Sequence, residues 1–460
     1  MSEPLDLVVR GGTVVTAGGR GDADVGVRDG RIVQLGGAMQ GRRELDARGA
    51  FVLPGGLDLH VHFAARAPQP GGPPQFVDDF ASGSRSAVAG GITTFGQMSF
   101  PDDVAVTLGD AIARDEAAAA AQSVTDYVLH PGVFTATPDL PDAIPGLAAA
   151  GHRSFKIITL AFDHDPAGLL RSASLAGENG MLTLVHCEDH ALIDFVTDEL
   201  VRHGHGLERY ADSRPDYTEA VAVERAVAIC EATGAPVCIV HLSSEAALDV
   251  TRRARARGLP VFVETRPFYL NLVADVYAGT EPGRFVGMPP LRGHRDREVL
   301  WRGLADGSID TVASDHAPWF LGDKIDPDLD LHTCRKGVAE IEAMLPMLWS
   351  EGVARGRLTP ERLVAVVATN AARLGGVYPH KGTIAVGADA DLVVLDPQRS
   401  RVIDAATMQS RADYCVYDGQ TVTGWPRFTV SRGDVVVDDG EVAAAEGRGR
   451  LVPRGPTARP

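Results

Sequence analysis

Six side chains able to hold metal ions stand in short apolar runs through the middle of the chain. The stretch Gly55-Gly56-Leu57-Asp58-Leu59-His60-Val61-His62 sets two imidazoles two residues apart. Residues two apart on a strand share one face, so His60 and His62 can meet one cation. Lys156 lies in SFKII, His186 closes LTLVH, His241 closes VCIVH, and Asp315 stands in DTVASDHAP. Imidazole and carboxylate suit Zn, with Mn, Fe, Co and Ni as less selective alternatives. The lysine is the odd member, because a protonated ammonium repels cations. If CO2 adds to its neutral amine, the product is an anionic carbamate whose two oxygens can bridge two metals. Each piece alone has a blander reading: a coincidental HxH, a strand-end histidine in a structural hydrogen bond, a lysine in an ion pair. All six at matching strand ends point to metal binding. His130, His190, His316 and His380 read as ordinary structural histidines, with His316 placed beside Asp315 to support it.

These residues need a frame that brings five strands to one place. From residue 54 to 376 short apolar runs alternate with Ala- and Leu-rich helical stretches such as EAVAVERAVAICEATG and SSEAALDVTRRARARG. Strand candidates fall at 57–62, 92–98, 125–130, 154–159, 182–186, 237–241, 260–264 and 310–314. Strand–helix alternation means parallel βα units, and eight of them predict a closed (β/α)8 barrel of the TIM type. An open doubly wound sheet is the competing arrangement, but no GxGxxG follows the first strand. In such barrels the C-terminal strand ends form the floor of the active site. Residues 1–53 and 377–440 have a different texture, short Val-rich runs broken by Gly and Asp-Gly turns. They predict one small β-sandwich built from both chain ends. Residues 441–460, ending LVPRGPTARP, read as an extended C-terminal tail.

Composition sets limits. Asp plus Glu is 61 against 44 Lys plus Arg, for a net charge of −17. That balance argues against a nucleic-acid footprint. Five cysteines without a CxxC pair fit reduced thiols in a cytoplasm. The N-terminus does not read as a signal peptide, and no run reaches the length of a membrane span.

The motifs PGGLDLHVHF, SFK, LVHCED, IVHLSS and SDHAP resemble the amidohydrolase superfamily. DDFASGSRSAVAGGITT, VETRPFYL, MPPLR and VVATNAARLGGVYPHKGTIAVGADADLVVLDP make the chain similar, more narrowly, to the dihydropyrimidinase and hydantoinase family of cyclic amidohydrolases. The resemblance covers nearly the whole chain. It implies two divalent metal ions, Zn by preference. His60, His62 and Asp315 would hold the buried one and His186 and His241 the exposed one, with carboxylated Lys156 bridging both. It also implies a hydroxide between the metals as nucleophile and Asp315 as proton carrier. The substrate is then a small cyclic amide, opened to an N-carbamoyl amino acid, and the assembly a homo-oligomer, commonly a tetramer whose C-terminal tail reaches a neighbour.

The sequence departs from that family in the substrate pocket. The family's tyrosine five residues after the bridging lysine is Ala161 here, beside Phe162. Met288 replaces a serine and Lys336 an asparagine that bind substrate largely through backbone atoms. ETRP replaces ETCP, introducing Arg266. Arg266 and Lys336 are therefore expected either to face the pocket and favour an anionic or carboxamide-bearing substrate, or to be solvated. The loop at 65–76 falls where the family's pocket-gating loop sits. Absence of the tyrosine makes an allantoinase the alternative. A dihydroorotase fits less well, since Ala64 stands two residues after HxH and Arg66 only two later. A non-catalytic interaction homologue ranks last, because all six ligands are present.

Overall fold

The apolar runs of the middle segment become eight strands in a computed structural model that describes residues 3–69, 71–103, 106–134, 140–159 and 166–460. The strands of the chain ends are β1 (Leu5–Thr16), β2 (Gly19–Arg28), β3 (Arg31–Leu35), β4 (Gly41–Asp46) and β5 (Phe51–Pro54). The middle contributes β6 (Gly56–Val61), β7 (Ile92–Ser99), β8 (Asp126–Val133), β9 (Ser154–Ile158), β10 (Leu182–His186), β11 (Val237–Ile239), β12 (Val261–Thr265) and β13 (Thr311–Val312). The late strands are β14 (Leu392–Val402), β15 (Thr421–Ser431), β16 (Asp434–Asp438) and β17 (Glu441–Val442).

Strands β6 to β13 lie side by side in sequence order, every pair parallel. The sheet closes where Val61 bridges His316 and the His62 N–H donates to the His316 carbonyl at 2.9 Å. Asp58 reinforces the seam: its Oδ1 accepts from the backbone N–H of His60 at 3.2 Å and of Ser314 at 3.1 Å. One buried carboxylate thus fixes the strand that carries His60 against the segment that carries Asp315. The barrel interior is apolar, with Met98, Leu182, Leu184, Cys238, Val240 and Phe262 in one cluster.

Two of the expected strands end early. Strand β11 stops at Ile239 and β13 at Val312, short of His241 and Ser314. Past these ends His241 (φ 40) and Asp315 (φ 50) adopt the left-handed conformation, which does not continue an extended run. Such residues typically cost about 1–3 kcal/mol and cluster at functional sites.

The chain ends meet as expected. Strand β5 pairs antiparallel with β14 through Leu392–Pro54 to Leu395–Phe51, joining both ends in one nine-stranded sheet. Its order is β17-β16-β15-β14-β5-β1-β2-β3, with β4 parallel to β1. The sheet encloses its own core of Leu7, Val25, Ile32, Val52, Leu392 and Phe428. It runs through Glu441–Val442, just past residue 440.

The tail beyond it lies along the barrel of its own chain. Tyr127 donates its N–H to the Arg450 carbonyl at 3.0 Å and accepts from Val452 N–H at 2.9 Å. Gly455 N–H reaches the Gly376 carbonyl at 2.7 Å. Arg454 enters the N-terminal end of the barrel, donating to the Gly375 carbonyl at 2.6 Å and to Ser154 Oγ at 2.9 Å. Backbone groups at that end of the barrel lack ladder partners, and the tail supplies them.

Barrel and terminal sheet are also joined by charge. The Lys381 ammonium, 1% exposed, donates to Asp126 at 2.8 Å and to Asp391 at 2.6 Å. Asp126 opens β8 and Asp391 precedes β14. Lys381→Met should lower stability by about 3–5 kcal/mol, because it leaves buried carboxylates short of a counter-charge. Urea unfolding measures this, and an unchanged midpoint would show that the ion pairs contribute nothing net. Among the described residues, no helix is long and apolar enough to cross a membrane.

Candidate metal centre and active site

Strand periodicity carries the first ligands inward. Asp58 and His60 alternate along β6 and His62 follows its end, with exposure rising toward the mouth from 1% at the His60 side chain to 20% at His62. Asp315 Oδ1 lies 3.3 Å from His60 Nε2 and 3.0 Å from His62 Nε2. One ligand atom from each of the three lies within 4.8 Å of the others. Lys156 comes from β9, its Nζ 3.4 Å from His60 Nε2. Gly132 pairs with Lys156 across β8 and β9. A Cβ at Gly132 would stand 2.6 Å from the Phe100 ring and 3.1 Å from Lys156 Cβ, so only glycine leaves room there.

The second pair comes from the end of β10 and the turn after β11. His186 Nδ1 and His241 Nε2 face each other at 3.0 Å, their rings edge to face at 4.7 Å. The loop after His241 is tightly held. Glu219 accepts from Ser243 N–H and Oγ–H, and Ser244 Oγ caps the helix Glu245–Ala256 by accepting from Ala247 N–H.

Surrounding acids set the tautomers. His60 Nδ1 donates to Glu264 Oε1 at 2.8 Å, so Nε2 turns a bare lone pair toward Asp315 and Lys156. His186 Nε2 faces Glu188 Oε2 at 3.2 Å, and its Nδ1 points to His241. Glu188 is itself held by Arg214 at 2.7 Å. Behind Asp315, His316 Nδ1 accepts from the backbone N–H groups of Glu340 and Ile341, so its Nε2 carries the proton donated to Asp78 at 2.8 Å. Sequence reasoning named His316 as a supporting residue but missed Glu264, Glu188, Glu340 and Asp78. A signal existed for one of them: Glu264 and Arg266 are two apart at the end of β12, the spacing that drew attention to His60 and His62.

Burial shapes the ionisation. It pushes His60 and His241 well below the usual imidazole value of 6.5, with Lys156 adding to both. Both therefore present neutral, ligating rings. Burial lowers Lys156 to about 8, against the pull of Asp315 and Glu264, and so favours the neutral amine that CO2 addition requires. Burial alone would raise Asp315, but the Arg266 guanidinium, then His60 and His62, outweigh it and hold the carboxyl well below its ordinary range. Glu264→Gln should weaken cation binding by about 10–100-fold, the usual cost of losing a group that orients a metal-binding histidine. Titration of the metal-free protein with Zn checks this, and an unchanged affinity would assign Glu264 a packing role only.

The substrate-side residues stand differently. Arg266 is neither solvated nor turned to substrate. It is fully buried, donating to Asp315 Oδ2 at 2.8 Å and to Glu340 Oε2 at 3.1 Å. Two carboxylates draw it inward, which no local sequence pattern reveals. Lys336 is half-buried, its Nζ donating to the His332 carbonyl at 3.3 Å, while its own carbonyl accepts from Trp319 Nε1 at 2.9 Å. Met288 is half-buried and precedes a cis peptide bond to Pro289. Neither residue joins the six by a hydrogen bond or ion pair among the described residues. Ala161 and Phe162 lie outside the described residues. An open cleft of about 890 Å³ adjoins His62, walled by Phe76, Met98, Phe100 and Phe134, with Arg66 also in its lining.

This barrel, with its cluster at the C-terminal strand ends, has close counterparts. Residues 51–436 match the amidohydrolase family. A D-hydantoinase of Rhizobium radiobacter is 36% identical over 456 residues, 97% of this chain and 98% of that protein. A solved D-hydantoinase superposes with a TM-score of 0.94 at 34% identity, covering 99% of this chain and 100% of its own. An L-hydantoinase (dihydropyrimidinase) from Arthrobacter aurescens superposes with a TM-score of 0.89 at 31% identity, covering 98% of this chain and 100% of its own. The chain belongs to the amidohydrolase family.

Proposed function

We propose that the protein is a metal-dependent hydrolase that opens cyclic amides of the hydantoin or dihydropyrimidine type to N-carbamoyl amino acids. The observation that carries this reading is the convergence of His60 Nε2, His62 Nε2 and Asp315 Oδ1 beside Lys156, next to the facing ring nitrogens of His186 and His241. The likeness to hydantoinases along the whole chain supports the substrate class.

The donor set fits two divalent ions. Imidazole nitrogens with carboxylates of Glu264 and Glu188 beside them suit borderline cations such as Zn. His60, His62 and Asp315 would hold one, His186 and His241 the other, and Lys156 as a carbamate would serve both. Bound there, such ions supply a hydroxide at neutral pH and draw electron density from the scissile carbonyl. The chain's own residues do the rest. Asp315, ionised in the resting site, accepts the proton released from the attacking water and delivers it to the departing ring nitrogen. His60 and His241 stay neutral, so protons displace the cations only in acid. Phe76, Phe100 and Phe134 line the adjoining cleft and offer an apolar wall to a ring substituent.

Self-association accompanies this reading. Phe195 (66% exposed), Tyr217 and Val221 leave apolar surface open on the helices His190–Arg202 and Asp216–Thr233, in keeping with a homotetramer. Five buried free cysteines are in keeping with a cytoplasmic setting. The Ala161 position keeps allantoin as the second substrate to test. The deciding experiment assays both hands of 5-substituted hydantoins, dihydrouracil, allantoin and dihydroorotate for ring opening with added Zn, Mn or Co. N-carbamoyl product from hydantoins or dihydrouracil is the expected result. Turnover of allantoin alone moves the protein to the second reading, and no turnover of any ring overturns both.

A further inference from the structure

The residue that departs most consequentially from the expected pattern is Arg266. It directly follows β12, on the inward face it shares with Phe262 and Glu264. Its side chain is 0% exposed. One end of the guanidinium donates to Asp315 Oδ2 at 2.8 Å. The other end donates to Glu340 Oε2, from Nη2 at 3.1 Å and Nε at 3.3 Å. The rings of Phe268 and Tyr269 flank it, with centroids 5.1 and 5.6 Å from its central carbon. Glu340 is fixed in turn. Its other oxygen accepts from the Tyr417 hydroxyl, and its backbone N–H donates to His316 Nδ1 at 2.9 Å.

These contacts form one buried line, Tyr417–Glu340–Arg266–Asp315. It starts in the segment between β14 and β15, outside the barrel, and ends on a carboxylate of the candidate metal centre. The fork geometry matters. Arginine presents rigid, coplanar donors, so a guanidinium locked by Glu340 and two aromatic faces can hold the one carboxylate oxygen it touches in place. With Oδ2 held by Arg266, Oδ1 is left facing His60 and His62. Asp315 sits in a left-handed backbone conformation with no regular strand to orient it, so something must set its side chain from outside.

We infer that Arg266 is a positioning residue for Asp315, a clamp on Oδ2 that aims Oδ1 at the cation held with His60 and His62. Braced by Glu340 and Tyr417, it ties the geometry of the metal centre to a part of the chain that does not belong to the barrel. The inference rests on the metal-centre reading above and adds a residue to it that touches neither substrate nor metal.

The test titrates metal-free wild type, Arg266→Ala, Arg266→Lys and Tyr417→Phe with Zn by calorimetry. It then compares kcat and KM on the best hydantoin of the panel. Arg266→Ala should weaken one of two cation sites by at least about tenfold and leave the other alone, as loss of an orienting partner does. Its kcat should fall with KM unchanged, the signature of a contact that acts on the reacting geometry rather than on substrate binding. Millimolar guanidinium should restore part of both, and methylammonium should not. Arg266→Lys, which keeps the charge but loses the fork, should shift in the same direction, and Tyr417→Phe likewise by less. If the alanine variant does not fold, the lysine and phenylalanine variants decide. Wild-type affinity at both sites with wild-type kcat in the variants overturns the clamp, and so does a raised KM with kcat retained. The wild-type titration separates the two levels: two cations bound equally well by wild type and variants sinks the role of Arg266 and leaves the metal centre standing.

Discussion

Lys156→Ala is expected to abolish turnover and strip at least one cation from the centre. In the reading favoured here the lysine carries an anion shared by two cations a few ångströms apart, and its loss leaves their repulsion uncompensated. A lysine that merely paired with a carboxylate would behave otherwise, costing some stability and leaving the cations in place. The geometry favours the first case: Nζ lies 3.4 Å from His60 Nε2, the residue is fully buried, and burial brings its amine down to about 8. Acetate or propionate should occupy the vacated space, supply two oxygens and restore part of the activity. Acetamide, of similar size and neutral, should not. An alanine variant that retains wild-type turnover and two cations would remove the bridge from the mechanism.

Asp315→Asn is the second large effect. The amide keeps the shape and the contact to Arg266 but cannot take a proton. Turnover should fall by at least about 10²–10⁴-fold, the range for a positioned general acid or base. The wild-type pH profile bears on the same residue. Arg266, His60 and His62 hold the Asp315 carboxyl well below its ordinary range despite burial, so it is ionised across neutral pH. His60 and His241 are depressed below 6.5, so their neutral, ligating forms persist further into acid than free imidazole would. Wild-type activity should therefore rise from acid toward mildly alkaline pH, with its acid limb below pH 6.5, while the asparagine variant stays low throughout. A wild-type rate that peaks near pH 4 would contradict both assignments.

Much of this centre was legible before any coordinates. Histidines that close apolar runs, each run followed by a helical stretch, can only collect at one end of a parallel barrel. His60, His62, His186 and His241 were found that way, and Asp315 by its place after the last run. What escaped lies in residues whose roles depend on long-range contacts. Glu340 meets Arg266 across 74 positions and Tyr417 meets Glu340 across 77. No periodicity announces such a line, and the arginine at its centre looked equally like a pocket residue or a surface one. The left-handed turns at His241 and Asp315 were also invisible, because histidine and aspartate tolerate that conformation without the glycine that usually marks it. The tail's contacts with its own barrel were hidden for the same reason: the backbone groups it satisfies belong to residues far back in the chain.

The central claim is that ring opening depends on cations held by these six side chains. The most direct measurement strips the protein of metal with a chelator, then returns Zn stepwise in bicarbonate buffer while hydantoin opening and bound metal per chain are followed together. The account predicts no turnover without metal, with activity rising as cations bind and reaching its plateau at two per chain. Ring opening at full rate in metal-free protein would contradict it, as would a protein that binds two cations and opens no cyclic amide.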